Sequence, residues 1–298
     1  MSRIGIVQST DKILPPLRPE AVYDTKIHLT EIGEVARLLS RWEQIGNLAW
    51  VRRGAILILL GLLWQGYATW LDNPLVFPKL SDTLLALWQS SDVILLRCLT
   101  SMKVLIAGYV IGVALAAVLT TFAVSTRFGA DLLSTLTAMF NPLPAIGLLP
   151  LALLWFGLGN EALVFVLIHS VLWSVSLNTL SGFLGVPATL RMAGNNFGLK
   201  GIRYVAQILV PAAFPSILTG LKIGWAFAWR TLIAAELVYG TSSGKGGLGW
   251  FIYENRNALE VPNVFAGLLT VILIGLFVES VIFRTIEKHT VDKWGMQR

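Results

Sequence analysis

Ionisable side chains embedded in apolar sequence are where this chain could do chemistry: Lys103, His169, Lys222, Arg230 and Glu236. At membrane depth such groups face a bundle interior or water. Lys103, Lys222 and Arg230 could attract an anion, and Glu236 could pair with one of them. Arg230 and Glu236 are six residues apart, so on one helix they point in different directions, which favours pairing between helices. For each of these residues a structural ion pair or a snorkelling head group competes with substrate contact. His169 reads as a packed, hydrogen-bonded histidine. Asn141 and Pro144 join the candidates because Asn141, Pro142, Pro144, Gly147 and Pro150 interrupt one apolar run. Such a run frees backbone carbonyls and bends a helix, and it is tolerated only where protein or a wet cavity satisfies those groups. A bent pathway helix and a packing irregularity both fit.

Other chemistry is poorly supported. Cys98 is the single cysteine, His28, His169 and His289 lie far apart, and neither CxxC nor HExxH occurs. No catalytic residue and no metal site is expected. The loop GTSSGKGGLGW imitates two nucleotide motifs. Gly240 to Lys245 is too short for a P-loop and lacks Ser or Thr after the lysine. Gly244, Gly246 and Gly249 fit GxGxxG but follow an apolar helix rather than a strand. A flexible loop outside the membrane is the expected reading.

These residues need a membrane scaffold to position them. The 298 residues are 55% hydrophobic and 13% charged, against about a quarter charged in soluble domains. The net charge of +6 is scattered through the tail and short loops, which suits membrane orientation and argues against nucleic acid. Charges from Lys12 to Lys26 interrupt any signal-peptide core, and Pro15, Pro16 and Pro19 predict an irregular tail. Ile32, Val35, Leu39, Trp42 and Ile45 recur at helical spacing among charged residues, as in an amphipathic helix lying along the headgroups. A helix packed on a soluble partner would share that pattern.

Six apolar runs follow, near 54–71, 98–124, 131–157, 161–182, 209–237 and 263–283, each long enough for a hydrocarbon core of about 30 Å. The sequence reads as an all-α membrane protein. Its expected segments are a 1–53 tail with an amphipathic helix, a first span and loop over 54–97, a core over 98–290 and a 291–298 tail. Residues 80–88 suggest a short surface helix, and the brief 157–161 connection an antiparallel hairpin. Arg52, Arg53, Arg127, Arg191, Lys200, Arg203, Arg284, Lys288, Lys293 and Arg298 fall on one side if every run spans. Positive charge marks the cytoplasm, so both termini and the 183–208 break are expected there.

That break begins at VPATLRMAGNNFGLKG and is too long for a simple turn. Pro187 suits a helix start, Leu190, Ala193 and Phe197 share a face, and Gly198 offers the left-handed position that ends a helix. Ile202, Val205, Ala206 and Leu209 form a second apolar face beside Lys200, Arg203 and Gln207, before Pro211 and Pro215 lead into the fifth span. Helix, glycine turn, helix describes either a docking knob or a generic interfacial pair.

MAGNNFGLKGIRYVAQILVPAAFP resembles the cytoplasmic EAA loop of binding-protein-dependent ABC importer permeases: Glu-Ala-Ala, three residues, Gly, then an apolar stretch to Leu-Pro. Ala193, Gly198 and Pro211 match by position. Met192 stands where glutamate is common, Gly194 replaces the second alanine and Val210 the leucine. From about Leu99 onward, TSMKVLIAGYVIGVALA, NPLPAIGLLPLALLWFGLG, LTGLKIGWAFAWRTLIAAEL and GGLGWFIYENRN are similar to the nitrate, sulfonate and taurine branch. The resemblance implies a type I importer fold in a bacterial inner membrane and a path shared with a second permease subunit, as in a homodimer. It also implies an external solute-binding protein and a cytoplasmic ATPase dimer that holds ATP and Mg. The 187–207 loop would dock in that ATPase, through Met192, Ala193, Gly194, Gly198, Lys200, Arg203 and Pro211. An ion-coupled secondary transporter would instead need inverted repeats or a carboxylate relay. A membrane-embedded enzyme would need clustered catalytic residues.

Overall fold

The computed structural model describes residues 48–239 and 246–295, and the amphipathic segment expected over 32–45 lies outside them. The chain divides after Leu57 into two units, 1–57 and 58–298. The described residues form helices joined by short connections, with no strand among them. These are α1 (Ala49–Leu71), α2 (Leu80–Gln89), α3 (Ser91–Ser125), α4 (Arg127–Phe140) and α5 (Leu149–Phe156). There follow α6 (Asn160–Leu184), α7 (Ala188–Asn196), α8 (Gly201–Ala212), α9 (Phe214–Tyr239), α10 (Leu248–Asn257) and α11 (Val261–Asp292).

Four helices are long and apolar enough to cross a membrane alone, and the number rises to six if each of two bent pairs counts as one span. The expected third span is one such pair. Its helix stops at Phe140, turns through Asn141–Pro144 and restarts along α5, with 86° between the halves. Pro150 sits in the first turn of α5, where its missing N–H costs no hydrogen bond. The expected fifth span is the other such pair. Gly201–Ala212 meets Phe214–Val238 at 81°, so Val210 and Pro211 lie before the bend and Phe214 opens the long half. The second and sixth spans outrun their apolar cores. At a rise of about 1.5 Å per residue, the 35 residues of α3 project beyond a hydrocarbon layer, and α11 runs through the expected 291–298 tail boundary.

Helix α6 lies at the centre, between α3 and α9. With no water to exclude between helices, packing in a bilayer depends on small residues that admit a neighbour's side chains. A β-carbon on Gly108 would lie 2.5 Å from Leu167 Cβ, and one on Gly112 2.9 Å from Val171 Cβ. On the opposite flank Gly220 meets Asn178 in the same way, at 2.8 Å. Leu105, Leu163, Val166, Leu167, Val171 and Leu232 fill the resulting core. Hairpin α5–α6 turns at Gly157 (φ 71°) and is closed by Trp155 and Phe156 against Phe165.

The two ends of the bundle are built differently. At one, α2 packs on α11 and Trp64, Tyr67, Phe77 and Phe265 form an aromatic cluster, with the Trp64 indole donating to Pro78 O. At the other, Phe183, Val186, Val205, Leu209 and Ala213 form a separate apolar cluster under α7 and α8.

Gly108→Val tests the close approach. It should destabilise the purified protein by about 1–3 kcal/mol, as overpacking does, lowering its thermal midpoint in detergent. Gly66, with nothing within 4 Å of an added β-carbon, should accept alanine with no loss.

Candidate functional site

The segment between α6 and α9 is a projecting knob with a defined internal geometry. Helix α7 ends in a paired-bond turn: Gly198 N–H donates to Asn195 O at 2.9 Å and Leu199 N–H to Gly194 O at 3.1 Å. That closure needs a left-handed residue, and Gly198 supplies it with φ 71°. Gly194 is the buried residue of α7, where a β-carbon would meet Ile208 Cγ1 at 2.9 Å and Tyr204 Cε2 at 3.0 Å. The tyrosine ring and Ile208 thus occupy the space an alanine methyl would need.

Arg191 ties the knob to the bundle. Its Nη2 donates to Phe183 O at 2.6 Å and to Leu184 O at 3.1 Å, and its Nε to Val186 O at 3.1 Å. These carbonyls lie at and just past the C-terminus of α6, where a helix has acceptors without partners and a partial negative charge. The planar fork of an arginine can bridge several of them at once. The other side of the knob is left open. Leu190, Met192, Phe197 and Ile202 are exposed, Phe197 to 82%, and Lys200 and Arg203 lie exposed beside them.

A second feature sits in the α4–α5 elbow. A cavity of about 170 Å³ is lined by Asn141, Pro144, His169, Ser170, Trp173 and Thr231, with Leu143, Ala145, Ser174 and Phe227 completing it. Trp173 stacks on Phe140 at 5.7 Å, and His169 lies edge-on to both rings. A separate recess of about 350 Å³ is bounded by Lys222, Trp225, Trp229, Arg230, Glu279 and Phe283. Among the described residues no three His, Cys, Asp or Glu side chains converge as metal ligands would, so the chemistry offered is hydrogen bonding and charge.

A third feature is a buried polar knot. Ser101 Oγ donates to the Glu236 carboxylate, 2.8 Å from Oε1, and accepts from Leu248 N–H at 2.8 Å. Gly249 N–H donates to Glu236 Oε2 at 2.7 Å. The N-terminus of α10 is thereby seated on a carboxylate, which answers its unpaired N–H groups. Above the knot, Arg97 donates to Gly246 O at 2.9 Å and pairs with Glu254 at 3.2 Å.

Residues 108–288, more than half of the chain, match the family of binding-protein-dependent transport system inner membrane components. The chain belongs to that family. It is 30% identical over 224 residues to a putative ABC transporter permease protein of Methanocaldococcus jannaschii, covering 73% of this chain and 83% of that protein. With the taurine transport system permease protein of Escherichia coli it shares 25% identity over 258 residues, 82% and 89% of the two chains. With a nitrate import permease protein of Synechocystis it shares 30% over 176 residues, 59% and 61%.

The geometry sorts the candidate residues of this permease. Met192, Ala193, Gly194, Gly198, Lys200, Arg203 and Pro211 all fall on the knob, yet its expected faces are revised: Leu190 and Phe197 are open, and of the second face only Val205 and Leu209 are buried. Asn141 and Pro144 share the elbow cavity, while Lys222 and Arg230 share the other recess. Lys103 is exposed on α3 and lines neither. Glu236 also lines neither. Its expected pairing with a lysine or arginine is replaced by Ser101 and Gly249, because the glycine-rich backbone brings N–H groups closer than any cation. Lys222 instead meets Glu287 at 2.8 Å. Arg230 stacks 5.0 Å over Phe227 and donates to Ala226 O. His169 is packed as expected but not hydrogen-bonded, since neither ring nitrogen has a partner among the described residues.

Sequence reasoning missed the role of Arg191, which counted only as positive charge, and that of Ser101. An arginine one turn inside a helix that follows another closely is the signal that could have found the clamp. In the GLGW segment, Gly247 and Gly249 are buried, and a β-carbon on Gly249 would lie 2.6 Å from Ile233 O. This stretch is therefore a packed seat rather than a flexible loop; residues 240–245 lie outside the described residues.

Two substitutions test these anchors. Glu236→Ala strands the Gly249 N–H and should lower stability by about 1–3 kcal/mol, read as a fall in thermal midpoint. Arg191→Lys should loosen α7 because an ammonium cannot bridge the same carbonyls. Hydrogen exchange over 187–197 should rise while that of α6 above Phe183 stays unchanged.

Proposed function

We propose that this chain is the permease subunit of an ATP-driven importer. It would pass a small anion, such as nitrate, a sulfonate or taurine, delivered by an external binding protein. Two permease subunits, most simply two copies of this chain, would form the path. A pair of cytoplasmic ATPases, holding ATP and Mg, would receive the 187–207 knob. Both termini and the knob then lie in the cytoplasm of a bacterial inner-membrane protein, as the arginine and lysine distribution favours.

The observation that carries this reading is the knob's combination of an open apolar face with a rigid base. Large apolar side chains left exposed on one projecting element mark an interaction site, here Leu190, Met192, Phe197 and Ile202. The base is clamped to α6 through Arg191 and runs into α9 through the 81° bend. Force on the open face would therefore reach both central helices. Closure of the ATPase pair on ATP would bias a two-state arrangement of those spans. Met192 in the usual acidic position makes the contact one of shape and apolar area rather than a salt bridge. The relatives' names support anion import, and the cationic Lys222 and Arg230 are consistent with it.

The test is uptake into proteoliposomes that contain the permease, its ATPase and the binding protein. Uptake should require ATP, and Gly198→Val should abolish it because a β-branched residue resists φ near 71°. Uptake driven by an ion gradient without the ATPase, or full ATP-driven uptake and ATPase association in the variant, would refute this function.

A further inference from the structure

Resting on the importer reading, we propose that the α4–α5 elbow cavity is an oxyanion subsite of the translocation path, made of neutral hydrogen-bond donors within this chain. Trp173 is only 7% exposed, yet its indole N–H has no acceptor among the described residues. One helical turn earlier, both ring nitrogens of His169 are buried and equally without partners. Buried N–H groups are nearly always paired. Two such side chains on one face of α6, both lining the same cavity, call for an acceptor that arrives and departs.

The lining defines that acceptor. Asn141, Ser170, Ser174 and Thr231 add amide and hydroxyl donors, and among the described residues no carboxylate or cation borders the cavity. Carboxylates would repel an anion, and a cation in the wall would hold it too tightly, whereas conduction needs binding weak enough for release. Neutral donors against aromatic walls meet both conditions. A volume of about 170 Å³, against about 30 Å³ for a water in the liquid, admits a nitrate or a sulfonate head group.

Charge is present one step away. The Arg230 guanidinium lies 5.0 Å over the ring of Phe227, which itself lines the cavity. This cation lines the neighbouring recess, and from there its field favours an anion in the cavity without its becoming a ligand. The walls also come from two separate elements. His169 and Trp173 are on α6, Phe227 and Thr231 on α9, and Ser170 and Thr231 hydroxyls meet across them at 3.3 Å.

The proposal is tested by saturation-transfer NMR of methanesulfonate and taurine on the complete permease–ATPase complex in nanodiscs, with nitrate as competitor. Trp173→Phe deletes the donor and keeps a ring against Phe140, and Asn141→Ala removes a second donor. Each should raise the dissociation constant of methanesulfonate by about tenfold, the loss of one hydrogen bond to a charged group. The thermal midpoint of Trp173→Phe should be unchanged or higher, since the replacement leaves no stranded N–H. Unaltered affinity in both variants, or no saturable binding to the wild type, overturns the subsite. ATP-driven uptake by the wild type is scored separately. If it is absent while Trp173→Phe still loses binding, the subsite stands and the importer reading falls.

Discussion

Everything in this permease depends on how closely α3 and α9 can approach α6. Apolar side chains gain nothing by leaving lipid for one another, so helix association must come from contact itself. Gly108 and Gly112 let the α6 side chains Leu167 and Val171 sink into α3, and Gly220 admits Asn178 on the far side. The three helices pack as one unit, and each of the features described above is hung from it. Trp173 and His169 project from its middle helix, Glu236 from one flank and Ser101 from the other. Without that approach the Ser101 hydroxyl could not donate to the Glu236 carboxylate across 2.8 Å.

The second constraint is that a helix interrupted in or beside a membrane exposes backbone groups that must find partners. This chain meets it with a different device at each break. At the elbow, prolines remove N–H groups at the points where the helix stops and restarts. At the base of the knob, the Arg191 guanidinium answers carbonyls at the end of α6. At the start of α10, a carboxylate and a hydroxyl answer the N–H groups of Leu248 and Gly249. Each device also fixes an angle, so satisfying the backbone and aiming the next element are one event. The base of the knob is fastened to the bundle in this way.

The distribution of charge follows the same economy. Lys222 is answered by Glu287, Arg97 by Glu254 and Glu236 by neutral donors. Arg230 stacks on an aromatic face and makes no ion pair among the described residues. Among the described residues, the elbow cavity has no carboxylate, lysine or arginine in its walls. The cation and the neutral donors therefore lie in separate recesses on the two sides of Phe227 and its neighbours, with Arg230 in one and the elbow lining in the other.

Local sequence determined the number and order of apolar runs, the break over 183–208 and the left-handed turn at Gly198. These rest on composition, period and backbone freedom, which a residue carries wherever it sits. The bend around Asn141–Pro144 was legible for the same reason, though its 86° angle was not. Tertiary structure alone decided the partners. Glu236 and Ser101 are 135 positions apart, and no periodicity links them. The expected salt bridge of Glu236 failed because the glycines of GLGW place backbone N–H groups where no lysine or arginine reaches. Arg191 was visible as a charge, but its clamp requires the α6 terminus to lie beside α7. Likewise Asn141 and His169 could each be singled out in the sequence, and only the packing of α9 against α6 encloses them in one cavity. Elements are set by interactions within a few residues of chain. A site is set by which distant elements are small enough, at the point of contact, to meet.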